Sequence, residues 1–174
     1  MPNTYTLIAS NTVGSGGVAS VTFSSIPSTY TDLSLKISSR TNRSATSDAL
    51  GFRYNSDTTF ARYAAKVLLS TGSVVSSNSA NPANDEGGLF TSANTATANT
   101  FGNGELYIPN YAGSNQKSAS VDAVAETNAT NVYMNISADL YNQTTAISSI
   151  TFVPITGSLI QEYSTFYLYG INNS

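Results

Sequence analysis

This chain predicts an all-β fold, a two-sheet antiparallel β-sandwich of jelly-roll type with little or no helix. Three observations carry that expectation. Apolar residues recur at every second position in most segments, the period of a strand with one face in a core; a helix would need spacings of three and four. Aromatic residues are plentiful, with 11 Tyr and 7 Phe, which separates the chain from disordered polar sequences. Clusters of Gly, Asn and Ser interrupt the alternation at short intervals, as turns between short strands would. At 174 residues the length suits one domain, residues 1–174, with a core of sandwich size.

The strands follow in order. Thr4 to Ala9 opens the fold with Tyr5, Leu7 and Ala9 on one side, and NTVGSGG breaks it where glycines permit positive φ. Val21 and Phe23 flank Thr22 in a second strand. Leu33, Leu35 and Ile37 alternate with Ser34, Lys36 and Ser38, and after the loop TNRSATSD, Leu50, Phe52 and Tyr54 alternate with Gly51, Arg53 and Asn55. Phe60 to Leu69 fits two patterns. Phe60, Tyr63, Val67 and Leu68 sit at helical spacings, but Tyr63, Ala65 and Val67 also alternate, and strand is the consistent choice among strands. Ser70 to Asn99 is long, small and polar; a loop of that length is functional or hides short strands, and Leu89 and Phe90 mark one. Leu106 and Ile108 point inward ahead of Pro109. Ile150 and Phe152 supply a late strand, and YSTFYLYGI at Tyr163 to Ile171 closes the chain.

The strongest pattern is NVYMNISADLY, Asn131 to Tyr141. Val132, Met134, Ile136, Ala138 and Leu140 form an apolar side, expected in the core, and Asn135, Ser137 and Asp139 a polar side, expected in solvent. It follows a strand carrying Ala119, Val121, Ala123 and Ala125 on one face, through the turn TNATN. The expected hairpin matches Val121 with Ala138 and Ala125 with Met134. That register sets Asp122 and Asp139 as diagonal neighbours on the outer face, a spacing compatible with an inverting glycosidase pair, although two solvated acids explain them more simply.

Chemistry is otherwise sparse. Neither His nor Cys occurs, so triads, thiolates, disulfides and sites for zinc or copper lose their usual residues. Asp85 and Glu86 are adjacent but lack the spacing of a calcium loop. Gly14 to Gly17 lacks the Lys and helix of a phosphate loop. No catalytic residue, cofactor or metal ligand set is expected. The net charge is −3, unevenly distributed: Lys36, Arg40, Arg43, Arg53, Arg62 and Lys66 crowd one segment, and acids dominate from Asp85 onward. A pI near 4.6 argues against nucleic acid. No stretch nears the roughly 20 apolar residues that span a bilayer and no signal peptide is evident, so a soluble chain made in a cytosol is expected. Those six cations, with Tyr163, Tyr167 and Tyr169 on one face of the last strand, form the candidate interface for a subunit contact or a sugar-stacking surface.

The opening TYTLIASNTVGSGGVASVTFSSIPSTYTDLSLKIS, the closing STFYLYGI and the central GELYIPNYAGSNQKSASVDAVAETNAT resemble small β-sandwich virion proteins of tailed bacteriophages, especially phages of aquatic bacteria. The resemblance spans nearly the whole chain, and its motifs are structural. It implies a head decoration (cement) protein, a homotrimer bound to the major capsid protein on the shell exterior and assembled in the bacterial cytoplasm. The alternative is a receptor-binding tip domain of a tail fibre that recognises host glycans. Short termini, MPNT and NNS, and the lack of heptads favour the decoration role. The Ser70 to Asn99 or Arg40 to Asp48 loop is expected to face the partner.

Overall fold

The computed structural model describes residues 4–72, 74–83, 88–127 and 132–172. Twelve strands are present among them: β1 (Tyr5–Thr12), β2 (Val21–Phe23), β3 (Asp32–Ser39), β4 (Ser47–Tyr54), β5 (Tyr63–Thr71), β6 (Val74–Ala80), β7 (Leu89–Ser92), β8 (Gly102–Ile108), β9 (Lys117–Glu126), β10 (Val132–Tyr141), β11 (Ile150–Pro154) and β12 (Thr165–Ile171). They build an eight-stranded sheet in the order β1-β12-β3-β8-β9-β10-β5-β6 and a four-stranded sheet in the order β2-β11-β4-β7. All pairings between these strands are antiparallel. The expected two-sheet sandwich is therefore present. Its sheets divide eight and four, so the large sheet extends beyond the cover of the small one.

The core lies between the small sheet and the β3-β8-β9-β12 part of the large one. Leu35, Leu106, Val121, Phe166 and Leu168 meet Leu50, Phe52, Ile150 and Phe152 there, each almost fully buried. Phe152 bridges the sheets, its ring 5.4 Å from Phe166 and 6.5 Å from Phe52. Burial of a side chain of this size contributes roughly 2–3 kcal/mol. The inward sets expected for β2, β3, β4, β8 and β9 are the ones observed. Phe60 to Leu69 resolves into both of its patterns in succession. Phe60–Arg62 forms a 3-10 turn, and Tyr63 then starts β5 with Tyr63, Ala65, Val67 and Leu69 inward. The long polar segment hides β7, as Leu89 suggested, and also β6. VVSSNSA in β6 lies almost wholly exposed at a sheet edge, where no core imposes alternation.

β10 departs from expectation in a way that reorganises the surface. Val132 pairs with Glu126 and Ser137 with Val121, one residue away from the expected register. Residues 128–131, within the expected turn TNATN, lie outside the described residues. Because side chains alternate, a slip of one moves the whole apolar set to the other face. Asn135, Ser137, Asp139 and Tyr141 are buried, while Val132, Ile136 and Leu140 are exposed. The cause is the small sheet's limit. β7 is its edge strand, so β10 faces unpaired backbone there, not an apolar sheet. The Asn135 carboxamide satisfies that edge, accepting from the Phe90 N–H (3.1 Å) and donating to the Gly88 carbonyl (2.8 Å).

Candidate interaction surface

Antiparallel partners share a face, so the pairing of β9, β10, β5 and β6 determines what the large sheet shows to solvent. One row reads Val124, Met134, Ser70, Val75; the next Asp122, Ile136, Leu68, Ser77; the next Ser120, Ala138, Lys66, Ser79. Exposure is 45% for Ile136, 56% for Leu68 and 75% for Val75. Leu68, Ile136 and Ala138 line an open depression of about 720 Å³ with Lys66, Ser77 and Ser120 at its margin. The Lys66 ammonium is tethered to the hydroxyl of Ser79, its register partner on β6. The other end of the sheet carries rings. Tyr5 meets Tyr169 edge-on at 6.3 Å, beside exposed Leu7 and Tyr167.

Between the two ends, Lys36 and Glu105 form an ion pair on the outer face, and the Ser34 hydroxyl donates to Glu105 at 2.8 Å. Burial alone would raise the Glu105 carboxyl; the bonds from Lys36 and Ser34 overcome it and hold it low.

The six cations do not assemble into a patch. Lys36 and Lys66 share the outer face but stand four strands apart, about 19 Å at the usual spacing. Arg40 is buried, its guanidinium donating to the carbonyls of Thr97 (2.8 Å), Thr100 (2.9 Å), Ala96 (2.8 Å) and Asn94 (3.3 Å). It is an internal staple for the segment before β8, its terminal nitrogens bonded within the chain. Arg43 donates to the Ser47 carbonyl in the β3–β4 loop. Arg53 is half-buried on β4, with its Nε buried and unbonded. Arg62 pairs with Asp57 at 2.8 Å. The tyrosines divide too. Tyr167 and Tyr169 occupy the outer face of β12, whereas Tyr163 precedes the strand at φ 67° and borders a separate hollow.

The two acids that a glycosidase reading would pair are also separated. Asp122 sits opposite Ile136 on the outer face, while Asp139 points into the sandwich. No substrate bond can lie between groups on opposite sides of a sheet. Asp85 and Glu86 lie outside the described residues. Asp139 belongs to a buried polar and aromatic cluster. Its Oδ2 accepts from the Ser137 hydroxyl at 2.8 Å, and its Oδ1 is buried without a hydrogen bond. Burial pushes its carboxyl up to about 7, the Ser137 bond only partly opposing this. Tyr54, Tyr63 and Tyr141 stack nearby, with centroids 4.8 to 6.2 Å apart. Asp57 accepts from the Arg62 guanidinium, the Tyr141 hydroxyl (2.9 Å) and the Thr59 N–H (2.9 Å). Burial works against its charge, yet these donors hold the carboxyl well below the usual carboxylate range.

Of the residues that make this surface, alternation places Ile136 and Leu140 in the core and Val75 in a loop, while Leu68 falls on the side of β5 opposite Tyr63, Ala65 and Val67. The exposed seven-residue edge strand beside them left no apolar period to find. Comparison with protein-family models, curated proteins and solved structures finds no match to this chain.

Proposed function

We propose that this chain is a virion structural protein of the head-decoration type, whose copies join as a homotrimer and seat on the major capsid protein outside a phage shell. The observation that carries the assembly reading is the inverted face of β10. Val132, Ile136 and Leu140, with Leu68 and Val75 alongside, lie in water on the outer face of the large sheet. Contiguous apolar faces of this kind mark contact sites. Four strands over the length of β10 present roughly 600 Å² per copy at standard strand spacings. In a ring of three this face meets a different patch on the next copy. An equal area there brings the contact to roughly 1,200 Å², above the roughly 1,000 Å² that a specific interface needs. The resemblance of the opening, central and closing segments to phage β-sandwich proteins supports the virion setting. The buried staples and antiparallel sheets supply stiffness, which a shell clamp uses in place of chemistry.

Sedimentation of the purified chain, wild type against the double variant Leu68→Lys with Ile136→Lys, tests the assembly. Both positions are solvent-facing, so the fold is expected to survive with its far-ultraviolet spectrum intact while the oligomer dissociates to monomer. A monomeric wild type at all concentrations overturns the self-association. Copy number in purified particles then tests location: hundreds per particle fit decoration of the head, and a few tens or fewer place the protein on the tail.

A further inference from the structure

A hollow of about 260 Å³ opens between the segment that follows β7 and the segment that precedes β12. Tyr163, 67% exposed, stands at its rim, and Phe101, Asn94, Asn99, Gln161 and Glu162 line its wall together with Arg40. The backbone there is unusual. Tyr163 has φ 67° and Asn99 φ 64°, a region that a bulky side chain avoids unless its surroundings impose it. They do: the Tyr163 N–H donates to the Val13 carbonyl, and the Val13 N–H donates to the Ser164 carbonyl, both at 2.9 Å. The chain thus holds a large ring in solvent at a strained position that glycine would occupy more easily.

The opposite wall is equally fixed. Arg40 grips the carbonyls of Asn94, Ala96, Thr97 and Thr100 from beneath, and Gln161 Nε2 donates to Asn94 Oδ1 at 3.1 Å. The hollow therefore combines an aromatic ring with the mutually bonded carboxamides of Gln161 and Asn94, the polar geometry that pre-organised sites use. Hydroxyls that both donate and accept match carboxamides and a carboxylate, and the C–H face of a sugar ring matches tyrosine. Arg40 also lines the hollow, its terminal nitrogens bonded to carbonyls but its charge retained. With Glu162 the wall thus carries one positive and one negative group and no net charge, which suits a neutral ligand. At this volume, below the roughly 300 Å³ where drug-sized pockets begin, one sugar ring is the fitting size. An adjoining hollow of about 300 Å³, bounded by Gly17, Asn42 and Leu159, shares Gln161 and Glu162, so a second ring has a place to go.

We infer that the hollow bounded by Tyr163, Phe101, Asn94, Asn99, Gln161 and Glu162 binds a neutral saccharide, one ring stacked on Tyr163 and its hydroxyls bonded to the carboxamides. This site is separate from the β10 face and does not depend on the decoration role. The test is saturation-transfer NMR and titration of the full chain with neutral oligosaccharides ending in glucose, galactose or N-acetylglucosamine, and with sialylated and uronic-acid sugars. At least one neutral sugar is expected to bind, with transfer strongest to its ring C–H protons. Tyr163→Gly keeps the backbone conformation and removes the ring, so the melting temperature should hold or rise while affinity falls about tenfold or more, and Tyr163→Phe should retain binding. Binding of none of the neutral sugars, preference for the acidic ones, or binding untouched by Tyr163→Gly overturns the inference.

Discussion

Asp139 and Asp57 carry opposite pH signatures, and the sign of each follows from its surroundings. Burial lifts the folded-state Asp139 carboxyl to about 7, against about 3.9 in an unfolded chain. The folded state therefore holds a proton that the unfolded state releases between these values. Its stability contribution is full below about pH 4, declines as pH rises toward 7, and stays lost above. Asp57 works the other way: with its folded pKa depressed, it contributes above about pH 4 and loses that contribution as pH falls further. Asp139→Asn keeps an acceptor for the Ser137 hydroxyl and removes the buried charge. It is expected to stabilise the protein at pH 8 by on the order of 2–3 kcal/mol and to flatten the slope between pH 4 and 7, as measured by urea unfolding. A loss of stability at pH 8 would contradict a charge buried without compensation. Lys117 shows how such a cost is met elsewhere. Its ammonium is buried, and it donates to the carbonyls of Gly113 (2.6 Å), Asn115 and Thr144 (3.2 Å).

At the scale of elements, the closing strand depends on a contact that alternation does not encode. Gly170 in β12 lies under the Tyr30 ring; a Cβ added there would fall 2.3 Å from Tyr30 Cγ. The ring covers a bare stretch of backbone next to Leu33 and Thr6, the partners of Gly170 on either side. Gly170→Ala is expected to cost about 1–3 kcal/mol through forced displacement of that ring. The cost should largely vanish in a Tyr30→Ala background, a coupling that a double-mutant cycle of thermal melts measures directly. β10 and β7 teach the same lesson for polar groups. An edge strand with free N–H and C=O groups draws Asn135 inward, and the apolar side of β10 is turned to water as a consequence.

For the molecule as a whole, the uneven distribution of charge along the chain suggests complementary patches, yet folding disperses it. Arg40 is buried, Arg62 and Lys36 are paired within the chain, and Lys66 is bonded to Ser79 beside the apolar face. If copies join through that face, their association is hydrophobic. It should persist at about 1 M NaCl, where the Debye length shrinks to about 3 Å and exposed charge pairs are screened, and weaken in moderate urea. Sedimentation across a salt series measures this, and dissociation by salt alone would return the interface to the charged residues.

The order of residues alone establishes that the chain is built of strands, where most of them run, and which side chains of β2, β3, β4, β8 and β9 fill the core. Period-two alternation with turn residues between suffices for that, because a strand's two faces differ wherever one sheet covers another. It could not say which face of β10 is inside. That choice rests on a one-residue register and on where the four-stranded sheet ends, and both arise only when distant segments meet. Tyr163 parts from Tyr167 for the same reason: its φ of 67° is imposed by Val13, 150 residues earlier in the chain. The candidate surface was invisible for a physical cause. A face designed for water and a face awaiting a partner differ in their surroundings, and alternation along one strand records only that the two sides are unlike.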